Sequence, residues 1–516
     1  MNAPAVARCL ADLLDNLSEE AAAVPVTGIA HDSRLVHPGD VFFALPGVVA
    51  DGAKFAPQAV RHGAIAVVAE APLELEVPVV VVSNARRALA EAAARFWTRP
   101  DRDITLVGVV GTNGKSTVAS ALQSIWARAG VPSGLIGTIE YRWGQHSIPA
   151  HRTTPEATDL YELLSRMRED GVRAAALEVS SHAIALDRVW GMEFRGGVFT
   201  NLTRDHLDFH RTMDEYRGVK CQFFERLEAP DAFAAVNMDD PAAGYFVAAA
   251  GRARVIRYSA SRRGDGVSLD ITSHSLTGTQ GSLVIEGRPW RFSSTLWGAF
   301  NHANLAATAA AAHGLGIDPA VIAQGLSDFH GITGRTQRVA SAAPFDVFVD
   351  YAHTPDALNA VLSAARPLVR GRLLVVFGCG GDRDRGKRAE MAQAVERWAD
   401  KIYLTSDNPR SEDPLSIIAD VKQGFSAGAP VWSDPDRVRA IERSIADANT
   451  GDTVFLCGKG HEETQEVAGV FHRYSDRETA VRILAAHGHA PQTPEGGGFH
   501  PGSAVGPGGD PSPTRL

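Results

Sequence analysis

The stretch that most constrains this chain runs Ile104-Thr105-Leu106-Val107-Gly108-Val109-Val110-Gly111-Thr112-Asn113-Gly114-Lys115-Ser116-Thr117. Residues 104–110 are apolar or β-branched apart from Gly108, as a strand covered on both faces of a parallel sheet requires. Beyond the glycine turn, Val118, Leu122, Ile125, Trp126 and Ala129 recur at helical spacing, and Gly130 with Pro132 stops the helix. Strand, tight turn and helix N-terminus together aim backbone N–H groups and the positive end of the helix dipole at an anion. Lys115 adds a point charge for the β- and γ-phosphates, and the Ser116 hydroxyl is placed to ligate Mg²⁺. Val109 stands where the general G-x-x-x-x-G-K-[ST] pattern has its first glycine, so the shorter form G-T-N-G-K-[ST] fits this loop better. The stretch predicts a nucleotide phosphate site in an α/β fold, with residues Gly111, Thr112, Asn113, Gly114, Lys115, Ser116 and Thr117 around the phosphates.

At 516 residues the chain is too long for one core, and a prior of ~150 residues per domain suggests about three. Its net charge of −9 argues against non-specific nucleic-acid binding, which needs a positive footprint. Cys9, Cys221, Cys379 and Cys457 are far apart and form no C-x-x-C pair, which suits a reducing compartment better than a zinc site or a disulfide framework. The N-terminal stretch carries Asp12 and Asp15 and lacks a long apolar run, so no signal peptide is expected. Apolar runs such as residues 77–82 are strand-length and too short to span a membrane. A cytoplasmic protein without nucleic-acid or membrane partners is the expectation.

Taken in order, residues 1–98 form a first small α/β unit, with short strands near 67–68 and 77–82 and an alanine-rich helix over 85–97. Within it, Asp32-Ser33-Arg34 sets an acceptor, a hydroxyl and a fixed cation side by side, a set suited to a sugar-nucleotide diphosphate; as a lone triplet it reads better as a solvated loop. Residues 99–336 form the nucleotide domain around a parallel sheet. There the strand over 174–179 ends in Glu178-Val179-Ser180-Ser181-His182, and a carboxylate at that strand end is where a Mg²⁺ ligand belongs. Asn201-Leu202-Thr203-Arg204-Asp205-His206 follows, dense in ligating side chains, and then Lys220. On pattern alone Lys220 is an ordinary solvated lysine and His206 a satisfied, half-buried histidine. Asn301 and Asn304 share one helical face, where they could read a base or cap the helix.

Residues 337–487 repeat a β-α rhythm expected to build a Rossmann-like sheet. Four strands end in polar clusters: Asp350-Tyr351-Ala352-His353, Gly378-Cys379-Gly380-Gly381-Asp382-Arg383-Asp384, Asp407-Asn408-Pro409-Arg410 and Gly458-Lys459-Gly460-His461-Glu462. In an open parallel sheet those ends share one edge, where ligands bind. Arg383, Arg410, Asp407 and Glu462 would give a pocket of both charge signs, suited to an amino-acid zwitterion. Residues 488–516, rich in Gly, Pro and Ser, read as a disordered tail.

These segments, in this order over roughly residues 27–487, resemble the Mur ligases of peptidoglycan synthesis, and most closely the members that add the third residue of the peptide stem. The resemblance rests on Gly111-Thr112-Asn113-Gly114-Lys115-Ser116, Glu178 to His182, Asn201 to His206, Asp350 to His353 and Gly378 to Asp384. It implies an ATP-dependent amide ligase acting on UDP-N-acetylmuramoyl-L-alanyl-D-glutamate, with three α/β domains. Ser116 and Glu178 match Mg²⁺ ligands, with His206 and Lys220 completing a second metal position, Lys220 as the carbamate N6-carboxylysine. Lys115, Lys220, Glu178 and His206 would then be the catalytic set. Asn301, Asn304, Arg335 and Asp350 match ATP contacts. Ser33, Thr153, Thr154, Ser180 and Arg188 match contacts to the UDP-sugar dipeptide, and Leu186 departs from the glutamine many members carry.

The resemblance also points to the third residue. Arg383, Asp407, Asn408, Arg410, Gly458 and Glu462 match a meso-diaminopimelate pocket, and lysine-adding members generally lack the arginine of Asp407-Asn408-Pro409-Arg410. The physics agrees, since a guanidinium fork grips the second carboxylate at the far end of diaminopimelate in two places. The implied enzyme is a cytoplasmic monomer that uses ATP and Mg²⁺. Rival readings are a lysine-adding or folylpolyglutamate synthetase-like ligase of the same superfamily, and a nucleotide-binding regulator without ligase activity.

Overall fold

The computed structural model describes residues 8–15, 17–47, 51–262, 264 and 266–489. The tail assigned to residues 488–516 lies outside the described residues from position 490 on, as do the first seven residues of the N-terminal stretch.

The N-terminal unit is a four-stranded parallel sheet in the order Gly28–Ala30, Asp40–Phe43, Ala66–Ala69, Val79–Val81. Helix Ala85–Phe96 starts where Asn84 accepts a hydrogen bond from the Arg87 N–H, and it buries Leu89, Ala92 and Phe96 against Val41, Phe43 and Val68. Its opposite sheet face packs on Ala56 and Ala59 of the helix Ala56–Arg61.

The middle of the molecule is an eleven-stranded sheet. Strands Ser133–Ile136, Ala174–Glu178, Thr105–Val110, Gly196–Phe199, Phe233–Asn237, Arg254–Ser259 and Val267–Ser275 run parallel in that spatial order. The parallel sheet read from sequence is therefore its core, but antiparallel strands extend both edges. On one side they are Glu140–Trp143 and His146–Pro149, on the other Gly278–Ile285 and Arg288–Ser294. The cause is local. Glu286 and Gly287 both take left-handed φ values, 49° and 77°, as a two-residue hairpin turn demands.

The phosphate-loop strand sits at the centre of this sheet, and the chain visits one flank before crossing to the other. That reversal opens a crevice at the carboxyl ends. Helices Lys115–Arg128, Ala299–Gly314 and Pro319–Asp328 cover one face, and Ala157–Glu169 with Met213–Glu225 cover the other. Gly108, the one break in the apolar strand, is explained by packing: a Cβ there would lie 2.3 Å from Cζ of Phe223.

The C-terminal sheet has six strands, ordered Gln337–Arg338, Asp346–Asp350, Thr453–Cys457, Leu373–Phe377, Lys401–Leu404 and Val431–Ser433. All pairs are parallel except the first, so the four polar clusters do meet at one edge. Beneath that edge Arg437 and Asp476 form an ion pair at 2.6 Å, their side chains 1% and 0% exposed, and Arg437 also donates to the Cys457 carbonyl at 2.9 Å. Removing one partner strands a buried charge, which costs about 3–5 kcal/mol. Asp476→Ala is therefore expected to lower the denaturant midpoint of the C-terminal domain clearly; an unchanged midpoint would contradict this reading of the pair.

Candidate active site

The residues from 111 to 117 turn from the central strand into helix Lys115–Arg128, with Gly114 at φ 88°. A Cβ on Gly114 would lie 2.2 Å from Asn304 Oδ1, so the glycine lets that asparagine reach the loop. Lys115 Nζ donates to the carbonyls of Gly111 (3.0 Å) and Thr112 (2.9 Å), curling over the loop mouth. Thr200 and Asn201, at the end of the neighbouring strand, brace the loop: Asn201 Oδ1 accepts from the Asn113 N–H at 2.9 Å.

Glu178 emerges beside this loop, as the strand register Glu178↔Val109 requires. Its buried carboxylate accepts from Ser116 Oγ at 3.0 Å, from the Thr138 N–H at 3.0 Å and from Thr138 Oγ1 at 2.9 Å. A Cβ on Gly137 would lie 2.3 Å from Glu178 Oε1, so that glycine keeps the carboxylate's flank open. A hydroxyl and a carboxylate in contact are hard oxygen donors of the kind Mg²⁺ takes, and both line the cavity at the phosphate loop. Ser116 and Glu178 fit that ion.

Lys220 is 1% exposed, and its Nζ donates to the Gly111 carbonyl at 3.0 Å, the same carbonyl Lys115 uses. Burial, with the Lys115 charge adding to it against Asp205, pushes the Lys220 ammonium well below the usual lysine range. Lys115 is lowered too, chiefly by burial, with Glu178 and Asp205 opposing. The solvated lysine that periodicity allowed at 220 is thus overturned. His206, at φ 54°, packs its ring 4.9 Å from that of His182 and lies 6.2 Å from the Tyr216 ring. Lys220 Nζ lies 4.4 Å from the same Tyr216 ring, so the two proposed partners flank one tyrosine. Among the described residues no group of three His, Cys, Asp or Glu side chains is placed to hold a metal.

Asn301 and Asn304 are both buried. Neither caps the helix, whose N-cap is Gly298; Asn301 donates instead to the Trp297 carbonyl (3.1 Å) and Asn304 to Asn301 Oδ1 (3.3 Å). They line one cavity together with the phosphate loop, Glu178, Arg335 and Asp350. That cavity spans the central and C-terminal sheets. Arg335 stacks on Tyr351 at 4.5 Å, and Asp350 accepts from the Thr336 and Ala352 N–H groups. Burial raises the Asp350 carboxyl, with Arg335 opposing.

Thr154, Ser180 and Arg188 form a second knot. Thr154 Oγ1 donates to the Glu178 carbonyl at 2.8 Å and accepts from the Ser180 N–H at 3.1 Å, while Arg188 donates to the Thr154 carbonyl at 3.1 Å and pairs with Glu156 at 2.8 Å. Thr153 Oγ1 lies 3.1 Å from Thr138 Oγ1, which ties this knot to Glu178. Leu186 caps the short helix Ser181–Ala185 next to it. Ser33 is buried in the N-terminal unit and bonds Gln58 there, so it stands apart from the knot; His31 instead crosses to Thr158 at 3.0 Å.

A second cavity of about 990 Å³ gathers Arg383, Asp407, Asn408, Arg410, Gly458 and Glu462, with His206 on the central-domain wall. Arg410 takes φ 52° and donates through Nη1 to the Gly381 carbonyl at 2.7 Å; its Nε lies 3.3 Å from Glu466. Asn408 donates to Glu462 Oε2 at 2.9 Å. Asp407 Oδ2 is buried without a protein partner, and a Cβ on Gly458 would lie 2.5 Å from it. Such an orphaned oxygen suits an incoming ammonium.

Sequence reasoning missed three contributors. Thr138 follows the interior strand Ser133–Ile136 and stands in no distinguishing pattern. The hairpin Thr464–Val467 and Val470–Arg473 braces two residues of the second cavity from behind, Gln465 donating to the Asp407 carbonyl and Glu466 pairing with Arg410, and its strands are too polar and short to be read. Lys459 stood in view between two glycines, but nothing in its spacing showed that it turns inward.

Three family models match the chain: the Mur ligase family catalytic domain over residues 25–97, the Mur ligase middle domain over 109–312, and the Mur ligase glutamate ligase domain over 334–460. A UDP-N-acetylmuramoyl-L-alanyl-D-glutamate--2,6-diaminopimelate ligase from Chlorobaculum tepidum is 42% identical over 491 residues, covering 92% of this chain and 96% of that protein. The ligase of the same name from Streptomyces coelicolor is 42% identical over 91% of this chain and 95% of its own. A solved structure of a ligase of that name superposes with a TM-score of 0.68 at 33% identity, covering 92% of this chain and 98% of that one. A MurF ligase from Thermotoga maritima in complex with ADP has a TM-score of 0.60 at 18% identity, over 89% and 97% of the two chains, and shares the fold. On this likeness along nearly its whole described length, the chain belongs to the Mur ligase family of ATP-dependent amide ligases.

Proposed function

We propose that this chain joins meso-diaminopimelate to the γ-carboxylate of the D-glutamate in UDP-N-acetylmuramoyl-L-alanyl-D-glutamate, with cleavage of ATP to ADP and phosphate. The carrying observation is the second cavity, where Arg410 stands with Asp407, Asn408 and Glu462 within one pocket. An amino acid with a second zwitterionic end matches it: the guanidinium meets the far carboxylate, and Glu462 and Asp407 meet ammonium groups.

In this reading residues 1–98 and the Thr153, Thr154, Ser180 and Arg188 knot hold the UDP-sugar dipeptide, with Ser33 contributing from the N-terminal unit. Residues 99–336 hold ATP through the phosphate loop, Asn301 and Asn304, with Arg335, just before the C-terminal sheet, and Asp350, at the end of one of its strands, closing over the nucleotide. Residues 337–487 hold the amino acid, with Arg383 and Gly458 at the pocket wall. The γ-carboxylate attacks the γ-phosphorus and expels ADP, giving an acyl phosphate. The diaminopimelate amine then attacks the acyl carbon, and the tetrahedral intermediate collapses to amide and phosphate. Lys115 leaves its loop carbonyls to meet the transferring phosphoryl group, where its charge offsets that of the phosphate oxygens. Mg²⁺, held by Ser116 and Glu178, would supply further neutralisation of phosphate charge. Lys220, as a carbamate, would turn a cation into an oxygen ligand for a second ion beside His206. Approach of the two cavities keeps water from the acyl phosphate.

The chain acts in this reading as a cytoplasmic monomer on small-molecule substrates. Among the described residues no helix is long and apolar enough to cross a membrane. ADP formation with all three substrates and Mg²⁺ tests the proposal. Release should need the UDP-dipeptide, rise strongly on adding meso-diaminopimelate, and match amide formed one for one. ATP cleavage indifferent to both would overturn it and favour the regulator.

A further inference from the structure

Lys459 is a lysine with no exposed surface, and nothing in the reaction as drawn uses it. It sits between Gly458 (φ 117°) and Gly460 (φ 54°), after the strand Thr453–Cys457. A Cβ on Gly460 would lie 2.6 Å from Tyr351 Cβ and 2.7 Å from the Gly334 carbonyl. The two glycines thus turn the backbone so that the lysine side chain points under the pocket floor. There Nζ donates to Asn408 Oδ1 at 2.9 Å and to Glu462 Oε2 at 2.8 Å, and lies 5.9 Å from the Tyr474 ring. Asn408 Nδ2 in turn donates to that same Glu462 oxygen at 2.9 Å. The three side chains form a closed triangle. The Glu466 N–H, on the hairpin wall, donates to Asn408 Oδ1 as well at 3.1 Å.

This triangle settles two questions of orientation. With Oδ1 taken by Lys459 and the Glu466 N–H, the Asn408 amide cannot flip without setting oxygen against carboxylate. With Oε2 taken by Lys459 and Asn408, Glu462 has its other oxygen left for a ligand. The lysine charge also offsets Glu462, so that the pocket does not gather uncompensated carboxylates beside Asp407. We propose that Lys459 is a positioning residue for the amino-acid substrate: it locks Asn408 and Glu462 in the orientation that reads the far amino and carboxylate groups of the incoming amino acid. The proposal rests on the ligase reading above, and deepens it.

The test compares Lys459→Met and Lys459→Gln with wild type in the full ADP-release assay. Lysine-to-methionine keeps the buried length and removes every donor; lysine-to-glutamine returns an amide that can donate to both partners. The Met variant should raise KM for diaminopimelate tenfold or more, with KM for ATP and for the UDP-dipeptide within twofold of wild type. It should also narrow the preference for diaminopimelate over L-lysine. The Gln variant should recover most of the KM and the preference, and it serves alone if the Met variant does not fold: a Gln variant then within threefold of wild type for diaminopimelate supports the assignment, and a larger loss overturns it. Unchanged KM for diaminopimelate in the Met variant, or equal rises for all three substrates, would also overturn it. If wild type itself fails to turn over diaminopimelate, the ligase reading falls first, and the wild-type control shows which of the two has failed.

Discussion

Replacing Lys220 by alanine is expected to lower ADP release with all substrates present by about 10³-fold, since removing one preorganised electrostatic group already costs about 10²–10³. Lys220 Nζ lies on the Gly111 carbonyl under the phosphate loop, buried, and next to the Lys115 charge. Two ammonium groups on one carbonyl are a poor arrangement, and burial favours the neutral amine there. A neutral amine is the form that takes up carbon dioxide, and the resulting carbamate would pair with Lys115 instead of repelling it. The alanine variant leaves a space of carbamate shape, so formate or acetate at high concentration should restore part of the lost rate. Lys220→Arg, which keeps the charge but cannot become a carbamate, should stay inactive with or without the acid. Wild-type activity in the alanine variant would remove Lys220 from the chemistry altogether.

The second large effect is expected at Arg410. Its left-handed backbone is held by hydrogen bonds between residues 410 and 466–468, so the side chain can be cut back without moving the loop. The Gly381 carbonyl takes one hydrogen of Nη1 and Glu466 sits at Nε, which leaves Nη2 and the second Nη1 hydrogen, the end-on edge of the guanidinium, for a ligand carboxylate. Truncating one partner of a largely buried, hydrogen-bonded charge pair costs about 2–5 kcal/mol. Arg410→Ala should therefore lower kcat/KM for meso-diaminopimelate by about 10²–10³-fold, while the small turnover with L-lysine changes little. Arg410→Lys should fall between, because an ammonium cannot make the two-pronged contact. Equal losses for both amino acids would assign Arg410 to the fold and not to the choice of substrate.

Legibility from sequence followed the physics of each element. The phosphate loop was readable because strand, glycine turn and helix start are all local, and Ser116 and Glu178 indeed meet across neighbouring strands. The clusters ending at Asp350, Gly378, Asp407 and Gly458 were readable as a group, since parallel strands put such ends on one edge. Lys220 was opaque to periodicity: whether a lysine on a helix faces solvent or a loop carbonyl is decided by what packs over it. Lys459 was hidden for a similar reason, its direction being set by two glycine φ values. The antiparallel edges of the central sheet went unread because the strands over 267–294 are rich in Ser, Thr and Arg, with one face solvated. Ser33, expected from the sequence as a substrate contact, bonds Gln58 inside its own unit, a partnership that no local pattern reveals.

The most direct test of the account is to supply the enzyme with ATP, Mg²⁺, UDP-N-acetylmuramoyl-L-alanyl-D-glutamate and equal amounts of meso-diaminopimelate and L-lysine, and to weigh the nucleotide product by mass spectrometry. The diaminopimelate adduct is expected in large excess, with one ADP per amide bond. A product carrying lysine alone, or ADP without any adduct, would contradict it.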